Sequence, residues 1–447
     1  MGLFDKILNT QTKKRFFNAI LFGIGGTIIS KAFLMLFNVI AARILGETKY
    51  GIYSLINNTV QTFIVFAGAG IGVTLTRYVA LYRDKDKDMT GIVIKTLLIF
   101  NTILSAIISV IVFAFSDIIS NLLSQETNIS LYIKITAVTI FFTSIASILQ
   151  SILQGFEEYK TVALMQMVSN LLMLVIGIII TNIFDILGTI ITLLILQVIS
   201  TVLFGISIKK IINSRQIKLR YEINQTIKIA IRDVAVPAFL STIFATPILW
   251  ITNFIFTRDN SYEEFAAFSV CLQWFTILNY LPQQLGQVKP IYTQLYADGN
   301  MEEFKRTIKK MIKISTILSV LATIVIMIGS YFLLKMYGNY YLKFILPFNI
   351  MMIASIFFAL QSQFGSIFQA IGKIWTCFWL NLLWAVIFIV CFMFLCENGV
   401  VGYTITYLIS YVVYTIISII VFYKSIVNIK EERKSFLIYL KIMMYCY

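Results

Sequence analysis

Apolar residues run along this chain in continuous blocks of about 20 residues or more, separated by short polar connections. The blocks stand at 16–43, 50–76, 91–115, 129–154, 160–183, 186–208, 234–256, 265–288, 311–334, 343–371, 374–396 and 399–423. A helix of about 20 residues crosses a hydrocarbon layer roughly 30 Å thick, so each block predicts one membrane span. The blocks are unbroken rather than alternating, which argues against the strands of a barrel. The longest connection, 209–233, leaves no room for a soluble domain.

Composition agrees. The 447 residues are 59% hydrophobic, 15% aromatic and 13% charged, more apolar surface than a water-soluble core of that size can hide. The expected fold is an all-α integral membrane protein with twelve transmembrane helices.

Charge supplies orientation. Most of the 36 Lys and Arg residues fall in alternate connections, and basic residues beside spans stay on the cytoplasmic side. Both termini are therefore expected in the cytoplasm. The net charge of +15 is largely this signal, so nucleic acid is not an expected partner, whereas the lipid bilayer is. The chain has no His, and its five Cys show no metal or redox spacing. No metal site and no cofactor are expected.

The chain divides further by an internal repeat with an offset of about 214 positions. Gly23 falls on Pro237, Tyr82 on Tyr296, and Gly188 on Gly402; Gln154 falls beside Gln369. The expected organisation is an interfacial amphipathic helix at 1–15, a six-helix bundle at 16–208, a cytoplasmic linker at 209–233, a second six-helix bundle at 234–424 and a cytoplasmic tail at 425–447. An even number of spans per bundle relates the two by a pseudo-twofold along the membrane normal. Leu3, Phe4, Ile7 and Leu8 share one face of the first segment, and no small-residue cleavage site follows it. The tail reads equally as a surface-lying helix or an unstructured segment.

One stretch invites another reading. GAGIG at 68–72 has the alternate glycines of a phosphate-binding turn, but no strand precedes it, and Val73 stands where the third glycine belongs. Small residues that let membrane helices approach closely are the better account.

Three segments, ARILGETKYGIYSL (42–55), GAGIGVTLTRYVALYR (68–83) and LQGFEEYK (153–160), resemble those of the polysaccharide transporter family, the O-antigen and repeat-unit flippases. That family shares a superfamily with multidrug and toxin extrusion proteins and lipid II flippases. The likeness is clearest in the first half. It implies a carrier that moves an undecaprenyl-pyrophosphate-linked oligosaccharide from the inner to the outer leaflet of a bacterial cytoplasmic (inner) membrane by alternating access. It also implies work alongside a polysaccharide polymerase and chain-length partners.

Candidate residues follow from depth and charge. Lys31 stands about 22 Å into the first span at 1.5 Å per residue, where a lone ammonium is costly unless it faces a wet cavity or a partner. It is the first candidate for attracting a pyrophosphate. Arg77 and Lys289 lie at the cytoplasmic ends of the second and eighth spans, one per bundle, and read equally as a two-sided phosphate catch or as orientation and headgroup contacts. Arg43, near the outer end of the first span, is a further candidate. The run Arg83 to Asp88 reads as a solvated loop. Gly23, Gly25 and Gly26 in the first span, with Pro237, Pro247, Pro282 and Pro290 in or beside spans seven and eight, are candidate hinges. Fixed kinks are the alternative.

No Asp or Glu lies near the middle of a span, although an efflux antiporter for organic cations needs one to hold its ion or drug. Cation efflux is therefore the second choice. An integral-membrane polymerase or glycosyltransferase is a third, disfavoured by short outer loops with few acids.

Overall fold

The computed structural model describes residues 10–123, 129–242, 245–285 and 289–445. Among these the chain is helical almost throughout, with no strand. We number the helices α1 (Thr10–Tyr82), α2 (Lys87–Ala114), α3 (Ser116–Leu123), α4 (Ser130–Gly155), α5 (Tyr159–Arg215), α6 (Gln225–Ala230), α7 (Val236–Thr242) and α8 (Ala245–Asp259). They continue with α9 (Tyr262–Leu285), α10 (Lys289–Ala297), α11 (Met301–Ile328), α12 (Ser330–Tyr337), α13 (Ile345–Ala370), α14 (Ile374–Leu395) and α15 (Gly399–Tyr445). The interfacial segment expected at 1–15 lies mostly outside the described residues.

Seven stretches of described helix are long and apolar enough to cross a membrane. Three of them fold back on themselves. Gly46, at φ 71° and ψ 178°, turns α1 into two antiparallel helices, using a conformation that strains any residue with a Cβ. Asp185 does the same inside α5 at φ 58° and ψ −134°, a conformation usually left to glycine, and Lys49 pairs with its carboxylate. The short 3₁₀ turn Cys396–Asn398 and Gly399, at φ 59°, separate α14 from α15. The protein is an all-α membrane protein.

Contacts divide the chain into two compact units. The first comprises Met1–Gln273 and Tyr331–Ile345, in which α1 packs on α2, α4 and α5. Its core includes Leu75, Val79, Val93, Leu97, Ile148, Ile152 and Leu153, nearly all closed to solvent and lipid. Within a bilayer, lipid tails are as apolar as these side chains, so the gain comes from close packing rather than from escape from water.

A π-helical turn, Ile231–Ala235, leads into α7 in the same unit. Pro237 has no amide to offer the Asp233 carbonyl, and the Val236 amide bonds instead to the Ile231 carbonyl five residues back. This widened turn rests against the GAGIG stretch, where a methyl on Gly70 would collide with the Ala235 carbonyl. The alternate glycines thus serve close backbone approach.

The second unit comprises Trp274–Ser330 and Leu346–Tyr447. Tyr403, Tyr407, Tyr411 and Tyr414 recur at helical spacing on α15 and are buried, with Trp384 stacked on Tyr411 at 5.6 Å and Phe388 edge-on to Tyr407 at 5.0 Å. The Tyr414 hydroxyl donates to Asn381 Oδ1 at 3.1 Å. Beyond Lys424 the backbone of α15 stays helical to Tyr445.

Candidate functional site

Lys31 sits on the first half of α1, half-buried, next to the buried Ser30. Asn170 of α5 donates Nδ2 to both the carbonyl and the hydroxyl of Ser30, at 3.0 and 2.8 Å. One helical turn earlier on α5, Gln166 donates to Gln150 Oε1 of α4 at 3.0 Å. Two turns from Lys31 on α1, Asn38 accepts from the Tyr53 hydroxyl at 3.3 Å. Ser30, the neighbour of Lys31 along α1, thus joins a band of neutral amides and hydroxyls shared by α1, α4 and α5. Such a band offers donors and acceptors to a polar ligand.

The other basic candidates are placed differently. Arg77 is exposed on α1 between the buried Leu75 and Tyr78. Lys289 opens α10, and its side chain lies outside the described residues. Arg43 is exposed, and its guanidinium donates to the carbonyls of Met336 and, at 3.1 Å, Lys335. Those are among the last carbonyls of α12, which have no partner inside the helix and attract a cation. Arg43 is a helix cap in this structure.

Around that cap, the side of unit one that holds Gly46 is tied together. The Thr48 hydroxyl donates to Glu263, whose carboxyl is held below its usual range chiefly by that bond. The Tyr262 hydroxyl donates to the Leu123 carbonyl at 2.9 Å, and the Tyr337 hydroxyl to Gln273 Oε1 at 2.6 Å. Gly51 admits the Tyr262 carbonyl where a Cβ would collide with it. Lys343 Nζ lies 3.7 Å from the centre of the Tyr340 ring. Burial, with help from nearby Glu263, Glu264 and Glu47, pushes the Tyr340 phenol up to about 12.

On the opposite side, Arg83 departs from the solvated loop expected of it. Its side chain is only 14% exposed, bonds to Glu157 at 2.6 Å and donates to the Gly155 carbonyl at 3.0 Å, closing the end of α4. Sequence reading missed this because Glu157, held at φ 61°, is recognisable as a partner only once α1 and α4 are side by side.

The candidate hinges also separate. A methyl on Gly26 would come 2.7 Å from the Ala163 Cβ, so this glycine makes a packing contact, whereas Gly25 has open space. Gly23 is helical, and its surroundings lie outside the described residues. Pro237 follows the widened turn, and Pro247 is half-buried in α8. Pro282 is buried within α9, its carbonyl accepting from Gln363 Nε2 at 2.9 Å. Pro290 is the second residue of α10.

A bend that sequence reading overlooked lies at Gly68, in the middle of the second half of α1. Asn101 of α2 donates to Ser144 Oγ of α4 at 3.0 Å, and that hydroxyl donates to the Ala67 carbonyl at 3.1 Å. All three residues are fully or almost fully buried. Asn101 interrupts the apolar run of α2 and was the available signal.

Several solved structures of MOP superfamily transporters share this architecture. The inward-facing conformation of a multidrug resistance MATE family transporter aligns with TM-score 0.70 at 16% identity, covering 86% of this chain and 93% of that one. An outward-facing MATE structure also aligns with TM-score 0.70 at 16% identity, covering 92% and 96%. A MOP superfamily transporter from Pyrococcus furiosus, described as having a binding pocket of reverse polarity, aligns with TM-score 0.68 at 16% identity, covering 90% and 95%. Identity at this level speaks for the fold. The sequence is more specific: residues 18–245, just over half of the chain, match the family described as polysaccharide biosynthesis protein, and the chain belongs to that family. No curated protein matches it.

Proposed function

We propose that this protein exports an undecaprenyl-pyrophosphate-linked oligosaccharide from the cytoplasmic to the outer leaflet of a bacterial inner membrane by alternating access. One observation carries this reading. Lys31 lies within a span, next along α1 to Ser30, which Asn170 of the amide band holds, and no described acid lies in the middle of an apolar block. A half-buried lysine near neutral hydrogen-bonding groups suits a phosphate and sugar hydroxyls, and when charged it repels organic cations. Family membership supports a polysaccharide precursor as cargo.

In this reading Lys31 attracts the pyrophosphate. Arg77 and Lys289 are basic approach residues. Arg43 acts through the helix it caps. Both termini lie in the cytoplasm, and 16–208 and 234–424 are the alternating bundles. Pro237, Pro247, Pro282 and Pro290, with Gly23, Gly25 and Gly26, supply bending points. An inside-negative potential favours outward movement of the anion by about 2.3 kcal/mol per charge per 100 mV, so the potential assists the outward step. A polymerase and chain-length partners take up the product.

Leaflet-resolved analysis of lipid-linked saccharides in a deletion strain tests this function. Build-up on the cytoplasmic leaflet is the expected result. Unpolymerised units on the outer leaflet would point to a polymerase, and an unchanged pool with altered drug sensitivity to an efflux pump.

A further inference from the structure

The connection between α5 and α6 is a fixed strap. Gln216 takes a left-handed conformation, φ 56°, as α5 ends, and Ile217 then turns inward and is 5% exposed. The next residues run extended across the start of α2. Gly91 admits the Lys218 carbonyl where a methyl would collide with it. The Thr96 hydroxyl both donates to the Glu222 carbonyl and accepts from the Glu222 amide, each at 3.1 Å. Asn224 then caps α6 by accepting from the Ile227 amide at 3.0 Å, while its Nδ2 meets Met89 Sδ at 3.6 Å.

These anchors set the strap's depth. Lys95 interrupts the 91–115 block just before Thr96 and its ammonium is drawn to the interface, so the backbone bonded to the Thr96 hydroxyl lies where hydrocarbon gives way to headgroups. At that level Leu219, Tyr221 and Ile223 alternate along the strap and are 43%, 51% and 48% exposed. Lys218, just before them, and Arg220, between the first two, stand exposed, with Lys95 half-buried beside Thr96 and Lys228 exposed on α6. Between 216 and 230 the one acid is Glu222, 3.7 Å from Arg220. Apolar side chains with a tyrosine, interleaved with cations and held at the interface, match the chemistry of an anionic lipid surface.

We propose that the strap 216–224 is a binding surface for anionic phospholipid headgroups, with Leu219, Tyr221 and Ile223 seated among the upper acyl chains and Lys218 and Arg220 on the phosphates. This contact fastens the α5–α6 connection to the leaflet on its own side. It is independent of what the protein transports.

The test uses the full-length protein. A spin label on Tyr221→Cys, in vesicles of phosphatidylcholine with phosphatidylglycerol, should collide with oxygen more readily than with a water-soluble nickel chelate. In native mass spectrometry, Lys218→Gln with Arg220→Gln should weaken phosphatidylglycerol retention about fivefold for each charge removed and leave phosphatidylcholine retention unchanged. The exchange Lys218→Arg with Arg220→Lys should retain binding, which separates charge from folding. A label as exposed to the chelate as bulk water would overturn the proposal. So would undiminished phosphatidylglycerol retention in the neutralised variant, or a photo-crosslinker at position 221 that captures protein instead of lipid.

Discussion

Arg43 donates its guanidinium to the carbonyl of Met336, 293 residues further along the chain. The bond joins the end of the first span to the end of α12, inside the compact unit that also holds the Thr48 to Glu263 contact. For an exposed cap, removing the fork by Arg43→Gln should lower stability by about 0.5–1 kcal/mol. Thermal unfolding in detergent checks this, and Arg43→Lys should recover only part of the loss because an ammonium cannot reproduce the planar fork.

Gly70 gives a sharper test of packing. Gly70→Ala places a methyl against the Ala235 carbonyl and should cost about 1–3 kcal/mol, whereas Gly25→Ala, which meets open space, should leave stability unchanged or raise it slightly. Equal melting temperatures for the two variants would contradict the close approach of GAGIG to the widened turn.

Glu263 has its carboxyl lowered by the Thr48 hydroxyl, so its contribution is complete above the ordinary carboxylate value of about 4.3 and fades as pH falls through the lower value of the folded protein. Thr48→Ala removes the main cause of that lowering. Melting temperature measured against pH should show a smaller acid-dependent loss in the variant than in the parent, with the difference confined below about pH 5.

Asn101→Leu should free the bend at Gly68. The substitution removes the donor to Ser144 and leaves that buried hydroxyl with one partner fewer, a loss of about 1–3 kcal/mol. Asn101→Ser, with a smaller polar group, should lose less. Thermal unfolding of both variants decides it.

The membrane fold was legible because its signal is additive: twenty apolar residues in a row have one economical arrangement. The site was legible only in part. Lys31 stands out as a charge in an apolar run, but the amides facing its neighbourhood, Gln150, Gln166 and Asn170, lie on α4 and α5 and are unremarkable one at a time. Arg43 and Arg83 mislead for the same reason. Arg43 meets backbone carbonyls at another helix end, which carry no signature in the sequence, and Arg83 meets the Gly155 carbonyl and Glu157, a pairing that no spacing along the chain announces. The linker 209–233 hides its strap because its anchors are main-chain atoms accepted by Gly91 and Thr96.

The most direct test of the central claim is flipping of a radiolabelled pyrophosphate-linked saccharide by the purified protein in sealed vesicles, with Lys31→Gln and Lys31→Arg compared at matched incorporation. Loss of a charge-assisted contact worth about 1.5–3 kcal/mol predicts roughly 10- to 100-fold slower flipping for Lys31→Gln and substantial recovery for Lys31→Arg. A Lys31→Gln protein that flips at the parental rate would contradict the account.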